Sequence, residues 1–220
     1  MTTKGTGTAG TACAWLAGGS GLVGGELLKL LLADPSFGKV VSVGRRTLLI
    51  EDPKLVQAKV DFVHAASFTE LAAADCAFCC LGTTIKKAGS QEAFRAVDQD
   101  AVVAFARAAK AKGARVFVHV SSLGADPKAR SFYSLVKGQT EGAIEALGFE
   151  SVYALRPSIL DGDRQESRPL ERVGLVFARA LGPVLGKYRP TAASAVARTM
   201  IAKAAARAPG AHVIEADAIA

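Results

Sequence analysis

Short apolar runs alternate with longer amphipathic stretches along most of this chain. The short runs resemble strands, because they are brief, rich in small or β-branched residues and bounded by Gly, Pro or polar residues. The longer stretches repeat apolar residues at helical spacing. The predicted strands are 11–17, 39–43, 56–62, 77–81, 116–120 and 151–155, and the predicted helices are 22–33, 90–112 and 131–147.

Strands that are apolar throughout and separated by helices are typical of a parallel sheet covered on both faces. The sequence therefore predicts an α/β fold, a doubly wound Rossmann-like sheet in a single domain over residues 12–220. Residues 1–11 are rich in Thr and Gly and lack the apolar segment of a signal peptide, so they are predicted to be a disordered tail. The less regular region at about 157–208 is predicted to hold a small substrate region, with Thr191 capping a helix over 192–208 and a last strand at 212–215.

Composition narrows the class of protein. Half of the 220 residues are apolar, which suits one domain with a sizeable core. The longest apolar helices carry charges, so no membrane insertion is expected. The net charge of +7 is scattered, and no nucleic acid is expected as a partner. The four cysteines lack disulfide or zinc spacing and are predicted to be core residues of a cytoplasmic protein without a metal site.

A glycine-rich turn follows the first predicted strand. Gly18, Gly21 and Gly24 form a GxxGxxG pattern between a strand and a helix. Glycines allow the tight turn and let the backbone approach a pyrophosphate, and the helix N-terminus supplies N–H groups and a positive dipole. The pattern predicts a dinucleotide site.

The end of the second strand indicates which dinucleotide binds. NAD sites place an acidic residue about 20 residues after the glycines to bind the ribose 2′-hydroxyl. Here Arg45 and Arg46 take that place, and two guanidiniums suit a 2′-phosphate. The sequence favours NADP(H) over NAD(H). Asp61, with Phe62, is predicted to meet the adenine ring, and Leu81 and Gly82 end the strand that passes close to the cofactor.

Tyr133 and Lys137 lie four residues apart on a predicted helix and therefore share a face. A Lys ammonium beside a phenol stabilises the phenolate, so such a Tyr passes a proton near neutral pH. Ser121 and Ser122 end the preceding strand, where a hydroxyl holds a carbonyl or alcohol oxygen. His119, inside the same strand, is predicted to be a hydrogen-bonded core residue.

Four runs give the chain a family resemblance. It resembles an atypical short-chain dehydrogenase/reductase and, more narrowly, the family of the HIV Tat-interactive protein 2, which are NADPH-binding oxidoreductase-like proteins. The resemblance spans about residues 13–172. It rests on residues 79–84, 121–126 and 133–138, and on Arg156-Pro157 followed by residues 163–169.

The resemblance implies roles for particular residues. It implies that Tyr133 donates or accepts the proton, that Lys137 lowers the pKa of that Tyr, and that a Ser orients the substrate oxygen, with Ser122 the first choice and Ser121 the second. It implies cofactor contacts at Ser20, Gly21, Leu22, Val23, Arg45, Arg46, Leu81, Gly82, Tyr133, Lys137, Leu160 and Arg168. The chain departs from the pattern at Asp98, where many short-chain dehydrogenases place an Asn for a proton relay.

Two functions stay open at this point. One is an NADP(H)-dependent reductase or dehydrogenase acting on a small, unidentified carbonyl or alcohol. The other is an NADPH-binding regulatory or redox-sensing protein that binds a protein partner with little or no turnover. The missing Asn and the small substrate region favour the second function, and a monomer and a homodimer are both compatible with the sequence.

Overall fold

A seven-stranded parallel sheet forms the centre of the structure, a computed structural model that describes residues 12–161 and 190–220. The strands follow the order β3-β2-β1-β4-β5-β6-β9, and every neighbouring pair is parallel. The order reverses between β1 and β4, which is the topological switch point where doubly wound sheets bind ligands. The predicted fold class is confirmed.

The elements alternate along the chain as the apolar pattern predicts. The sheet strands are β1 (Ala12–Ala17), β2 (Phe37–Gly44), β3 (Leu55–Lys59), β4 (Cys76–Cys79), β5 (Val116–Val120), β6 (Ser151–Arg156) and β9 (Gly210–Glu215). The α-helices are α1 (Leu22–Ala33), α2 (Ile85–Ala88), α3 (Gln91–Arg95), α4 (Ala101–Ala111), α5 (Phe132–Glu145) and α6 (Ala193–Ala206). A small parallel pair, β7 (Leu160–Asp161) and β8 (Thr191–Ala192), lies outside the main sheet.

Each face of the sheet is buried by its own helices, which explains why the central strands are mostly apolar. On one face, Leu27 and Leu28 of α1 and Met200 of α6 pack against the sheet. On the other face, Phe105 of α4 and Ile144 of α5 do so. The helices on the two faces hold the carboxyl ends of the strands at one edge, where the site lies.

The central helix differs from the prediction in one important respect. The sequence predicts an uninterrupted helix over 90–112, begun by Ser90, and the Ser90 hydroxyl does accept a hydrogen bond from the backbone of Ala93 at 3.0 Å. However, Ala96–Asp100 forms a π-helical turn between α3 and α4. The hydroxyl of Thr140 on α5 donates to the carbonyl of Asp98 at 3.1 Å. The extra residue in this turn gives Asp98 a place facing α5.

Two other local predictions are wrong. Thr191 does not cap the last helix, because it lies in β8 and Ala192 occupies the N-cap position. The hydroxyl of Thr191 instead lies 3.1 Å from that of Ser158. The third strand ends at Lys59 rather than Phe62, because a turn begins at Asp61, whose carboxylate accepts from the backbone of Val63 at 3.0 Å.

Several predictions fall partly outside the described residues. The tail at 1–11, Arg168 and most of the predicted substrate region lie there. Within the described ranges, no helix is long and apolar enough to cross a bilayer. The same ranges contain no cluster of three or more side chains that could hold a metal ion.

Candidate cofactor and catalytic site

The glycine turn after β1 lies at the switch point and packs directly against the end of β4. Gly18 has a φ of +85°, a backbone conformation that residues other than glycine rarely adopt. A Cβ on Gly18 would lie 2.6 Å from the carbonyl carbon and oxygen of Cys80. The backbone N–H of Gly21 donates to the Gly18 carbonyl at 2.9 Å and closes the turn. Glycine at position 18 is therefore required both by conformation and by space.

The N-terminus of α1 is free to bind an anion. Gly21 is its N-cap and provides no side-chain hydrogen bond, and the first turn carries no acidic residue. The leading N–H groups of a helix lack intrahelical partners and, with the helix dipole, attract phosphate. Ser20 is exposed beside them, whereas the side chain of Val23 is buried, so position 23 offers a ligand only its backbone.

Gly24 gives a prediction with a matched control. A Cβ at Gly24 would lie 2.0 Å from the Gly18 carbonyl oxygen, whereas one at Gly25 would meet nothing nearer than 3.7 Å. We expect Gly24→Ala to displace the turn and to weaken dinucleotide binding by roughly tenfold or more, since phosphate-loop geometry depends on glycine. Gly25→Ala should bind normally and be more stable by about 0.5–1 kcal/mol. Titration and thermal unfolding of both variants test this, and equal binding by the two would contradict it.

An open cleft runs from the glycine turn to the end of β2. It is lined by Gly18, Gly19, Ser20, Ser42, Val43, Gly44, Arg45, Arg46, Leu48, Phe62 and Leu81. Arg45 and Arg46 are exposed at its rim, and neither forms an ion pair with any described residue. The cleft therefore extends from the turn before α1 to two guanidiniums, and none of the described residues that line it carries a carboxylate.

Asp61 and Phe62 have separate positions. The Phe62 side chain lines the cleft and packs edge-on against Phe68 at 5.9 Å between ring centroids. Asp61 is exposed, accepts from Val63 and lies 3.7 Å from the ring nitrogen of His64. Of this pair, Phe62 therefore lines the cleft and Asp61 does not.

Lys137 is held by Asp98 in the interior of the molecule. Its Nζ lies 2.7 Å from Oδ1 of Asp98, and the two side chains are 7% and 0% exposed. The other carboxylate oxygen of Asp98 accepts from the backbone N–H of Thr83 at 2.8 Å. The loop after β4, the π-helical turn and α5 therefore meet at one carboxylate. A Cβ on Gly82 would lie only 3.4 Å from Oδ1, so this loop passes close to the pair.

The ion pair controls the charge of Lys137. Burial by itself lowers the pKa of this Lys, but the attraction and hydrogen bond of Asp98, with a smaller contribution from Tyr133, outweigh burial and raise the pKa above its ordinary value. Lys137 is therefore a cation at neutral pH although it is buried. A fixed positive charge beside Gly82 is suited to ribose hydroxyls and to a phenolate.

Tyr133 lies one helical turn before Lys137 and is partly exposed. The Lys137 Nζ is 6.0 Å from the centre of the Tyr133 ring, and the ring packs at 5.4 Å from that of Phe94. Phe94 on α3 is fully buried and so fixes the orientation of the ring. The predicted shared face of Tyr133 and Lys137 is present in the structure.

The two serines at the end of β5 differ in their bonding. Ser121 is buried and its hydroxyl donates to the carboxylate of Glu141 on α5. Ser122 is partly exposed and its hydroxyl makes only a 3.4 Å contact with the Leu123 carbonyl. Ser122 is thus the hydroxyl available to a ligand, whereas Ser121 belongs to an internal network.

That network links α5 to the sheet edge. Arg156, at the end of β6, donates to Glu141 at 2.6 and 3.0 Å and to Glu215 of β9 at 3.0 Å. The hydrogen bond to Glu141 is the main reason that the pKa of Arg156 is raised, and its guanidinium is occupied by two carboxylates. Glu141 lies four residues after Lys137, so the spacing places both on the same face of the helix. The ion pair of Glu141 with Arg156 was not predicted from the sequence.

Several residues are excluded from direct chemistry. His119 is buried, its Nε2 makes no described hydrogen bond, and burial with the nearby charges of Lys137 and Arg156 lowers its pKa to about 3. His119 is therefore a core residue as predicted, but its Nε2 does not make the predicted hydrogen bond with any described residue. Burial raises the pKa of Cys76 and Cys79 to about 12, so both thiols stay protonated at neutral pH.

The outer part of the site is described only as far as Leu160. Leu160 pairs with Thr191 in the β7–β8 ribbon and packs partly against the core on the α1 face. The cleft residues that sequence reasoning did not assign to the site are Gly19, Ser42, Val43, Gly44 and Leu48. Ser42 falls inside a buried strand and Leu48 in an irregular loop, so neither position carries a recognisable motif.

The arrangement defines the class of protein. A parallel sheet in this order, with a glycine turn at its switch point and a Tyr–Lys pair after β5, is a Rossmann fold of the short-chain dehydrogenase/reductase type. Solved structures with this fold include the enzyme WbmH of Bordetella bronchiseptica in complex with NAD+, at 18% identity and a TM-score of 0.68, covering 93% of this chain and 75% of that one. UDP-N-acetylglucosamine 4-epimerase from Methanobrevibacter ruminantium gives a TM-score of 0.70 at 17% identity, covering 93% and 76%.

Curated relatives identify the family. Protein HTATIP2 of Rattus norvegicus is 40% identical over 171 residues, which are 76% of this chain and 70% of that protein. The mitochondrial protein fmp52 of Emericella nidulans is 37% identical over 177 residues, covering 77% and 76%. No protein-family model matches the sequence. The chain belongs to the HTATIP2/FMP52 family of oxidoreductase-like proteins with an NAD(P)-binding fold. Since the fungal relatives are named mitochondrial, the cytoplasmic location stays a prediction.

Proposed function

We propose that this protein is an NADP(H)-dependent oxidoreductase that acts on a small carbonyl or alcohol. The observation that carries the proposal is the cleft that runs from the glycine turn, which leads into the uncapped N-terminus of α1, to Arg45 and Arg46, whose guanidiniums form no ion pair with any described residue. The residues present fit the cofactor, because Gly18 and Gly24 permit the tight turn and this turn leads into a helix N-terminus without a side-chain cap. The N–H groups at the start of α1 would hold the pyrophosphate and the arginines the 2′-phosphate.

The other end of the site would hold the reacting groups. When bound, a nicotinamide supplies or accepts a hydride. Lys137, fixed by Asp98, would bind the hydroxyls of the adjoining ribose and keep a positive charge beside Tyr133. The Tyr133 hydroxyl would give a proton to, or take it from, the substrate oxygen, and the Ser122 hydroxyl would orient that oxygen. Leu81 and Gly82 would bring their backbone close to the cofactor.

The arginines provide the test of cofactor choice. In the double variant Arg45→Ala/Arg46→Ala, we expect NADPH affinity to fall by about tenfold to a hundredfold, because charge-assisted hydrogen bonds contribute roughly 1.5–3 kcal/mol each in favourable cases. NADH affinity should change by less than about threefold, since NADH has no 2′-phosphate. Calorimetric titration of both nucleotides measures the difference.

A matched control removes the same charge elsewhere. Arg107 on α4 and Arg198 on α6 are exposed and line no part of the cleft. Arg107→Ala/Arg198→Ala therefore reproduces the loss of two guanidiniums and any long-range electrostatic effect. If the cleft variant weakens NADPH and NADH equally, or no more than this control does, the assignment of the 2′-phosphate is wrong.

A further inference from the structure

One side chain provides the described hydrogen bonds of the loop that carries the two arginines. Residues 45–50 connect β2 to the turn before β3 and form no helix or strand. Their backbone makes no described hydrogen bond to other backbone groups. All the described hydrogen bonds of this backbone go to the side-chain amide of Gln57 on β3.

Gln57 uses its whole amide for this purpose. Its Oε1 accepts from the Leu48 N–H at 2.6 Å, and its Nε2 donates to the carbonyls of Leu48 at 3.0 Å and Ile50 at 3.1 Å. One acceptor and two donor hydrogens are thereby engaged. The paired bonds to Leu48 imitate those of a neighbouring strand and fix both the position and the direction of the loop.

Leu48, which Gln57 holds by hydrogen bonds, also lines the cleft. The Leu48 side chain lies over the glycine turn, since a Cβ on Gly19 would be only 3.2 Å from its Cδ1. Leu48 also packs against the core on the α1 face. With Leu48 fixed at one end and Gly44 of β2 at the other, Arg45 and Arg46 have little freedom in where their backbone lies.

We propose that Gln57 is a positioning residue for cofactor selectivity, which sets the preference for a 2′-phosphate by fixing the loop that presents Arg45 and Arg46. This inference rests on the proposed NADP(H) site. Gln57 lines no part of the cleft and acts only through the loop. A guanidinium on a preorganised backbone pays less ordering entropy when it binds a phosphate than one on a mobile loop.

The substitution Gln57→Met tests the proposal, because Met keeps the length of the side chain and removes the amide. We expect the affinity for NADPH to fall about tenfold and the affinity for NADH to change by less than about threefold, so the selectivity ratio drops, as expected for lost preorganisation. The fragment 2′,5′-ADP, which carries the 2′-phosphate without the nicotinamide, should weaken in parallel with NADPH.

Gln139→Met is the matched control. Gln139 on α5 accepts from Arg95 at 2.8 Å and lines no part of the cleft, so this variant also loses a side-chain amide in a hydrogen bond. It should keep the wild-type ratio of NADPH to NADH affinity. A merely structural role for Gln57 would lower stability or weaken both nucleotides together without changing that ratio.

Hydrogen exchange of the wild-type chain gives a second measurement that needs no variant. Without nucleotide, the Leu48 amide should be protected by its bond to Gln57, whereas an unbonded loop amide exchanges freely. Unprotected exchange at Leu48, or an unchanged selectivity ratio in folded Gln57→Met, would overturn the role of Gln57 while leaving the NADP(H) site intact. If the wild type itself has no preference for NADPH, the cofactor assignment fails and this proposal fails with it.

Discussion

The Tyr133→Phe variant is expected to lose turnover by a factor of about 10²–10⁴ in kcat, the range that a positioned proton donor contributes. The substitution removes only the hydroxyl. The ring keeps its packing against Phe94 and its place near the Lys137 ammonium. NADPH affinity should therefore change by less than about threefold, since the proposed ribose contacts of Lys137 would be kept. NADPH absorbance, followed over a panel of aldehydes and ketones, measures the rate.

Tyr153→Phe is the control for removing a tyrosine hydroxyl. Tyr153 is buried in β6, its hydroxyl accepts from the backbone N–H of Ala208 at 2.7 Å, and it does not line the cleft. This variant should lose some stability and keep its turnover. A Tyr133→Phe enzyme as active as the wild type would contradict the proton-transfer role. Tight NADPH binding by a wild type that turns over no carbonyl compound would favour the alternative function of an NADPH-sensing regulatory protein.

Of the single substitutions in the site, Asp98→Asn is expected to lower the free energy of unfolding the most. Removing one member of a buried ion pair leaves the other charge buried without compensation, at a cost of about 3–5 kcal/mol. Asp98 is fully buried, and its carboxylate serves both Lys137 and the backbone of Thr83. Denaturant unfolding measures the loss. Glu26→Gln, which breaks the exposed pair of Glu26 with Lys29 at 2.8 Å, should cost no more than about 1 kcal/mol.

The pH dependence of the same variant has a definite sign. In the wild type the pKa of Lys137 is raised above 10.5, so the contribution of the pair is complete below that pH and is lost as pH rises through the folded-state pKa. Without Asp98, burial becomes the dominant influence and lowers the pKa of Lys137. The unfolded variant then binds the proton more tightly, so the variant gains stability as pH rises towards 10.5.

The difference in unfolding free energy between the wild type and Asp98→Asn should therefore narrow from pH 7 to pH 10, as long as both are followed at the same ionic strength. A constant difference across this range would show that Asp98 stabilises the fold without holding the charge of Lys137. Asp98→Asn/Lys137→Met removes both charges and should recover part of the stability lost in the single variant.

The fold could be predicted from sequence because parallel strands buried on both faces leave a simple signal. The central strands β1, β4, β5 and β6 are mostly apolar runs. Gly18 through Gly24 mark the switch point by a motif with a physical cause. The pairing of Tyr133 with Lys137 followed from helical spacing, because residues four apart always share a face. These features depend only on local sequence.

The features that the sequence analysis did not predict depend on an irregular helical turn or on contacts between residues far apart in sequence. The partnership of Asp98 with Lys137 needs the π-helical turn, which adds one residue to a helix whose apolar pattern gives no sign of it. The predicted end of the third strand at Phe62 is wrong, because β3 ends at Lys59 and a turn follows it, whereas the contact of Asp61 and Phe62 with adenine stays a prediction. Gln57 binds a loop residue nine positions away in sequence, and the spacing of apolar residues does not reveal such a contact.

A crystal structure of the protein with NADP+ tests the central claim most directly. The account predicts the pyrophosphate at the N-terminus of α1, the 2′-phosphate within hydrogen-bond distance of Arg45 or Arg46, and the nicotinamide ribose at Lys137 and Tyr133. Adenine should lie against Phe62. A 2′-phosphate in solvent with both guanidiniums turned away, or a nicotinamide ribose without contact to Lys137, would contradict it.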